Sequence, residues 1–360
     1  MKTFPLGADG ASLAVTETGG HLSDVTFTLA GGKKVRPMHT SPWEKEELAP
    51  GTPNVLRMLR GDFFCAPFGS DGADPNDPNS THGLPANGTW SVTKLTPTTL
   101  DATLEGTVMG ATVTKRVEVR PRENVVYQRH VMTGGAGRLP VGQHAMVHAE
   151  TPLQLAFAPF TMALTPPVPF EVPPEGRQLL AEDQVITDIT RAKRVDGGIA
   201  DLSVFPTAPG FESLWMAVTD RNLPFGWTTA TAAEEGWVWF GLKNVRELPE
   251  TVIWISDGGR DYAPWNGRHR RCIGLEDICG YFHLGTRRSV ADNPVAASGS
   301  PTAVTLGGEP VSISYVFGVA ATPAGFGRVT EVAKAPGGIT LIDAGGRKAS
   351  AAVDLSFIGA

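Results

Sequence analysis

The residues of this chain that could do chemistry are two histidines, an arginine and a glutamate in four separate segments. Arg60 opens an aromatic-rich stretch and His82 precedes a glycine. His144 follows a Gly-Gln pair, and Glu276 ends a short apolar run. Imidazole and carboxyl groups can transfer protons near neutral pH, and a guanidinium can hold the oxygens of a ligand. Presented together by separate strands, such groups would hold a sugar and move its protons.

Another histidine, His148, follows His144 by four residues, so on one strand both side chains would point to the same face. They would lie about 13 Å apart at ~3.3 Å per residue, which is too far for both to bind one metal ion. Either could act as a general acid, because the unperturbed pKa of imidazole is about 6.5. A buried histidine satisfied by hydrogen bonds explains each residue equally well, and the choice between the two stays open.

Glu276 lies in an apolar run, so a strand there would half-bury its carboxyl and raise its pKa toward the range that suits a base. Asp277 would then face the opposite side of the strand. The local sequence alone slightly favours an exposed acid at Glu276. His82 precedes Gly83, which lets the backbone approach a ligand, although spacing alone favours a structural turn.

Arginine and tryptophan side chains supply the other binding candidates. The guanidinium of Arg60 could donate paired hydrogen bonds to sugar hydroxyls or to a phosphate, although such a residue more commonly forms a surface salt bridge. Trp90 and Trp265 could lay flat faces against a pyranose ring, although most tryptophans pack in a core.

The elements that must position these residues are strands, because period-two alternation of apolar and polar residues dominates the chain. Helical signals are few: a capping box at Ser41 predicts one short helix, and residues 327–334 suggest another turn or two. The pattern is typical of an all-β sandwich or barrel. We expect a single domain over residues 1–360, because the candidate site residues lie on both sides of the proline-rich stretch at 166–176. The strand candidates are residues 113–120, 125–132, 139–148, 214–220, 237–243, 251–257 and 311–319.

Composition excludes several classes of function. The formal net charge of -6 disfavours nucleic-acid binding, which needs a basic surface. No apolar stretch approaches the ~20 residues of a membrane-spanning helix, and the N-terminus lacks a signal-peptide core. The three cysteines lack the spacing of a disulfide framework, so we expect buried free thiols in a cytoplasmic protein. The loop at 71–79 carries hard oxygen ligands without the closing glutamate of a calcium loop, and turn chemistry explains it.

Taken together, these segments resemble the galactose mutarotase (aldose 1-epimerase) superfamily. Residues 60–69 are similar to its Arg-Gly-Gly-x-Pro-x-x-x-Pro-x-x-Gly segment, though slightly shorter, and residues 82–90 resemble its His-Gly-Phe-Ala-Arg-x-x-x-Trp segment. Residues 142–145 are similar to its Gly-x-His-Pro, and residues 273–276 to its late strand ending in a glutamate. Their order and spacing carry the resemblance more than any one motif does.

The resemblance implies a large antiparallel β-sandwich (a supersandwich) with a few short helices, and a defined chemistry. His144 would protonate the ring oxygen while Glu276 removes the proton of the anomeric hydroxyl, so that the ring opens, C1 rotates and the other anomer closes. His82 would hold the ring oxygen or the anomeric hydroxyl. No metal and no organic cofactor is implied, and the partner is a small-molecule sugar bound by a monomer or homodimer. The substrate-binding candidates are Arg60, His82, Trp90 and His148.

Two departures from the family pattern bear on the substrate. Ala86 stands where the family has an arginine that its hexose-phosphate branch uses for phosphate, although Arg57 and Arg60 could compensate. Ala145 replaces a proline, a milder change. We therefore predict an isomerase acting on an unphosphorylated hexose or related sugar. The alternatives are a non-catalytic carbohydrate-binding or sugar-sensing protein on the same scaffold and, less favoured, a lyase or hydrolase of polysaccharides.

Overall fold

The computed structural model describes residues 2–71 and 81–360, which fold mainly into antiparallel strands. Residues 72–79 of the loop considered above as a cation site lie outside the described residues. Up to residue 164 the strands are Thr3–Gly7 (β1), Ala11–Thr16 (β2), Leu22–Thr28 (β3), Lys34–Val35 (β4), Phe64–Cys65 (β5), Trp90–Leu95 (β6), Thr99–Leu104 (β7), Ala111–Val119 (β8), Val125–Gly134 (β9), Gly137–Leu139 (β10), Val141–Gln143 (β11), Ala145–Val147 (β12), Leu153–Phe157 (β13) and Phe160–Leu164 (β14). Beyond residue 164 they are Ala192–Lys193 (β15), Ile199–Ala200 (β16), Val204–Phe205 (β17), Glu212–Thr219 (β18), Gly226–Ala232 (β19), Trp237–Lys243 (β20), Glu250–Ser256 (β21), Cys272–Cys279 (β22), Val304–Leu306 (β23), Val311–Ala321 (β24), Val329–Ala335 (β25), Gly338–Asp343 (β26) and Lys348–Ala352 (β27).

Helices are short. The α-helices in the described ranges are Asn54–Arg57 (α1), Gly83–Asn87 (α2), Gly285–Val290 (α3) and Pro294–Ala297 (α4), and the 3₁₀ turns are Ala30–Gly32, Ile189–Arg191 and Leu355–Ile358. None of these described helices is long and apolar enough to cross a membrane.

Two large sheets dominate the described part of the chain. One has nine strands in the order β17-β13-β19-β20-β24-β9-β8-β7-β6. The other has seven, in the order β14-β18-β21-β22-β11-β5, and β12 also pairs with β22. Their facing residues form one apolar core, which joins Trp239 and Phe317 of the first sheet to Ile253 and Leu275 of the second. The predicted all-β antiparallel sandwich with few short helices is confirmed.

In strand β22, alternate residues pack into two different apolar clusters, because the strand is buried on both faces. Ile273 and Leu275 belong to the core between the sheets, whereas Cys272 and Ile278 belong to a separate apolar cluster on the outer face. Asp277 points inward, where it pairs with Lys243 of β20 at 2.7 Å and so joins the two sheets. Consequently the side chain of the intervening residue 276 lies on the outer face.

Several local predictions are wrong. The stretch 139–148 is not one strand but the ends of β10 and the short strands β11 and β12, interrupted at Pro140 and His144. The capping box at Ser41 forms a turn, because the carboxylate of Glu44 pairs with Arg60 instead of folding back on the backbone. Residues 329–334 belong to strand β25. The expectation of three buried free thiols is confirmed.

Candidate functional site

A pocket opens on the outer face of the seven-stranded sheet. It encloses about 160 Å³, close to the ~150 Å³ of a cavity that holds a benzene ring. Its volume therefore suits one six-membered ring. Its walls combine apolar side chains with ionisable ones, and the residues that carry chemistry are His82, His144, Trp254, Arg260, Trp265, Glu276 and His283.

Strand register brings His144 and Glu276 together. The antiparallel pairing of β11 and β12 with β22 sets Gly142 opposite Ile278 and Ala145 opposite Leu275. The same register continued through the gap between β11 and β12 sets His144 opposite Glu276. Side chains opposite one another on neighbouring strands are in contact range, and here Nε2 of His144 lies 3.4 Å from Oε1 of Glu276.

The imidazole of His144 is held in one orientation. Its backbone N–H donates to the carbonyl of Phe63 at 2.9 Å. Its ring stacks on the ring of Phe63, with centroids 4.5 Å apart and planes 17° apart. The indole of Trp254 meets the same ring edge-on at 5.8 Å. Packing therefore fixes the ring that faces the glutamate.

Burial disfavours charge on both members of this pair. It raises the pKa of Glu276 well above its ordinary value, and the negative charge of Asp62 raises it further. Burial lowers the pKa of His144 to about 3. Both shifts disfavour charge, and they therefore favour a protonated carboxyl facing a neutral imidazole over an ion pair. One group can donate a proton and its neighbour can accept one.

His82 presents a hydrogen-bond donor to the same pocket. It lies directly before α2 in a left-handed conformation (φ 60°), and the backbone N–H of Gly69 donates to its Nδ1 at 3.2 Å. Because Nδ1 accepts, the hydrogen of the neutral ring is on Nε2. The ring stands edge-on to that of His144, with centroids 4.8 Å apart.

Arg260 is a pocket residue that the sequence analysis missed. Its Nε donates to Oε1 of Glu171 at 2.5 Å, and its guanidinium carbon lies 4.4 to 5.4 Å from the ring centroids of Phe170, Trp254 and Trp265. Neither Nη nitrogen bonds to another described residue, so both remain available to a ligand. The sequence signal nearest to Arg260 was Trp265, which was considered as a stacking face for a sugar ring.

Arg60 and Trp90 lie outside this pocket. The guanidinium of Arg60 is buried, where Nε donates to the carbonyl of Met58 at 3.0 Å and Nη1 contacts Glu44 at 3.3 Å. The indole of Trp90 is in the core between the sheets, and its Nε1 donates to the carbonyl of Pro85 at 2.9 Å. Trp90 thus packs in the core, as its structural alternative held. Arg60 forms a salt bridge with Glu44, but the bridge is buried on the arginine side and not at the surface as its alternative held.

His148 is also separated from the pocket. It follows the end of β12, where its Nδ1 donates to the carbonyl of Arg271 at 3.0 Å and its Nε2 lies 3.3 Å from Glu150. Of the six predicted site residues the structure therefore brings together His144, Glu276 and His82. This placement favours His144 over His148 as the acid–base histidine.

Comparison with known proteins identifies the fold. No protein-family model matches the chain, and no curated protein matches it in sequence. Solved structures do match. A candidate aldose 1-epimerase from Escherichia coli K12 superposes with a TM-score of 0.60 at 13% identity, covering 89% of this chain and 99% of that one. A galactose mutarotase related enzyme from Lactobacillus acidophilus gives 0.54 at 11%, covering 89% and 98%.

An aldose epimerase homologue from C. elegans gives a TM-score of 0.54 at 11% identity, covering 89% of this chain and 99% of that one. The chain thus spans nearly the whole length of these neighbours. The architecture is the galactose mutarotase-like β-sandwich, as the sequence motifs predicted.

Proposed function

We propose that this protein is an aldose 1-epimerase-like isomerase that interconverts the anomers of an unphosphorylated hexose or a related sugar. The observation that carries the proposal is the 3.4 Å contact between Nε2 of His144 and Oε1 of Glu276 in a pocket that fits one ring. Opening a cyclic hemiacetal needs a proton donor at the ring oxygen and an acceptor at the anomeric hydroxyl. Both oxygens are on C1, so a donor and an acceptor in contact can serve them together.

The shared proton lets the pair complete the reaction without solvent. One partner protonates the ring oxygen as the bond from C1 to that oxygen breaks, while the other takes the hydroxyl proton and the C1 carbonyl forms. The proton has then moved from one partner to the other. After C1 rotates, ring closure on its opposite face returns it. The directions of the pKa shifts support a resting proton on Glu276, so we assign Glu276 as the donor and His144 as the acceptor, the reverse of the roles that the family resemblance implies.

The neighbouring side chains supply orientation. Nε2–H of His82 can donate to the ring oxygen or the anomeric oxygen, and the two Nη nitrogens of Arg260 can donate to further hydroxyls. The indoles of Trp254 and Trp265 offer apolar faces to the ring. A ring-sized pocket argues against polysaccharide chemistry. A cytoplasmic location and a monomeric or homodimeric state stay predictions.

The test is anomer exchange, measured by magnetisation-transfer NMR over a panel of free aldoses and their 6-phosphates. We expect acceleration for a free sugar, and a loss of about 10²-fold or more in Glu276→Gln and in His144→Ala. His148→Ala should retain the native rate, since its side chain lies outside the pocket. Binding of a sugar without any acceleration by the folded native protein would instead support the non-catalytic binding or sensing role.

A further inference from the structure

His39, His269 and Cys272 form a buried cluster beside the pocket that no step of the proposed reaction uses. One ring nitrogen of each histidine and the Sγ of the cysteine all lie within 4.8 Å of one another. All three residues are at least nine-tenths buried, and Cys272 forms no disulfide. We propose that this cluster binds a zinc-type transition-metal ion. The ion is not implied by the family resemblance, which calls for no metal.

Two unsatisfied nitrogens point to a ligand. Nε2 of His39 and Nε2 of His269 are both buried and have no hydrogen-bond partner among the residues that the structure describes. A buried polar atom without a partner is costly, so native structures normally satisfy it with protein, water or an ion. Two such atoms beside a free thiol are a stronger signal than either alone.

The hydrogen bonds around His269 favour the tautomer that binds metals. Glu212 Oε1 accepts hydrogen bonds from the hydroxyl of Ser256 at 3.0 Å and from the backbone N–H of Gly259 at 3.2 Å. The single hydroxyl hydrogen of Ser256 is therefore used, so Ser256 accepts from Nδ1–H of His269 at 2.7 Å. The lone pair is left on Nε2. A ligating histidine usually has this support, in which its other ring N–H is held by a polar partner.

The donor set selects the class of metal. Two imidazoles and a thiolate suit zinc and its transition-metal analogues, whereas calcium and magnesium prefer oxygen ligands. With Zn–N of about 2.0–2.1 Å and Zn–S of about 2.3 Å, the ligand atoms would approach one another by about 1 Å on binding. Three protein ligands leave a fourth position for water or another small ligand.

The test uses the full-length chain, expressed without a polyhistidine tag and stripped with a chelator. We expect one equivalent of Zn²⁺ to bind per chain by elemental analysis. We also expect added Co²⁺ to give tetrahedral d–d bands with a sulfur-to-cobalt charge-transfer band. The charge-transfer band should vanish in Cys272→Ser and remain in Cys279→Ser, which removes a buried free thiol at the other end of the same strand.

Substitution of a histidine keeps the proposal testable if Cys272→Ser does not fold. His39→Gln should weaken Co²⁺ binding by at least about tenfold while the thiolate band shifts. Sub-stoichiometric Zn²⁺ in the native protein would overturn the proposal, as would a cobalt spectrum without the sulfur band, and water would then be the group that satisfies the two nitrogens. These readouts report metal ligation alone and are independent of anomer exchange.

Discussion

Gly274 and Glu276 lie two residues apart on the outer face of β22, and the carboxyl of Glu276 occupies the space that a side chain at Gly274 would fill. A methyl group built at Gly274 overlaps Oε1 of Glu276 and comes within 2.9 Å of the Cβ of Trp254. The missing side chain therefore lets the carboxyl fold back along the strand. This explains on physical grounds why a glycine stands two positions before the glutamate.

Gly274→Ala should cut anomer exchange by about 10²-fold, because the new methyl displaces the carboxyl from His144 by roughly 1 Å, a shift that commonly costs this much. The measurement is exchange at saturating sugar, with near-ultraviolet circular dichroism to check the fold. Gly7→Ala is the matched control, since a methyl there makes only an ordinary contact at 3.7 Å. Native activity in a folded Gly274→Ala would show that the carboxyl position is not critical.

The proton shared by His144 and Glu276 predicts the pH profile. Below the pKa of His144, which burial lowers to about 3, the imidazole is charged and the pair lacks an acceptor. Above the pKa of Glu276, which burial and Asp62 raise, the carboxyl is ionised and the pair lacks a donor. Exchange corrected for the uncatalysed rate should therefore show no acid limb between pH 6.5 and 5, where an unperturbed imidazole would titrate. It should fall on the alkaline side as Glu276 ionises and on the acid side only near pH 3.

Asp62→Asn provides a check on the sign of this argument. Removing a negative charge near Glu276 makes its ionisation easier, so the alkaline limb should move to lower pH. A limb that moves upward would contradict the assignment. So would a native profile confined between about 4.3 and 6.5, the unperturbed carboxyl and imidazole pKa values, because that window belongs to an ionised Glu276 facing a protonated His144.

The sequence was informative about features that depend on a single strand, such as which face a side chain lies on. Alternation around Glu276 predicted that it and Asp277 face opposite sides, and the structure places one in the pocket and the other against Lys243. The burial of Glu276 was underestimated, because the local sequence does not show that loops and short helices cover the outer face of the sheet. Motif order was enough to identify the fold.

The sequence was least informative where contacts come from distant segments. Arg260 is brought to the pocket by a loop after β21, and its aromatic neighbour Phe170 comes from the proline-rich stretch that resembled a linker. No periodicity links two such segments. The binding role predicted for Arg60 is not supported for a different reason. Its motif lies close to site residues in the sequence, but its guanidinium points inward to the carbonyl of Met58.

Arg260 should contribute mainly to sugar binding. Arg260→Met keeps a long apolar side chain among the aromatic rings but removes the donors, so the KM for the sugar should rise about tenfold or more, as expected for lost charge-assisted hydrogen bonds. Arg260→Lys should recover part of the loss, since it keeps the charge without the fork. Arg116→Met, which breaks an exposed pair with Asp101 in the nine-stranded sheet, is the control, and an unchanged KM in Arg260→Met would exclude the binding role.

The pair Lys243–Asp277 should hold the two sheets in register beneath the site. Nζ of Lys243 lies 2.7 Å from Asp277, both side chains are about 1% exposed, and the hydroxyl of Thr251 also donates to that carboxylate at 2.7 Å. Lys243→Met leaves a buried carboxylate with one neutral donor. It should lower the free energy of unfolding by about 3–5 kcal/mol, the usual result of breaking a buried pair.

Urea unfolding followed by tryptophan fluorescence measures this loss. The double variant Lys243→Met/Asp277→Leu should be more stable than the single variant, because it removes the unpaired charge and restores apolar packing. Lys2→Met serves as the control: the Lys2–Glu17 pair is equally short at 2.6 Å, but its lysine is 63% exposed, so the loss should stay below about 1 kcal/mol. Equal losses in Lys243→Met and Lys2→Met would mean that the inter-sheet pair contributes no more to stability than a surface pair, and that apolar packing alone aligns β22 with β20.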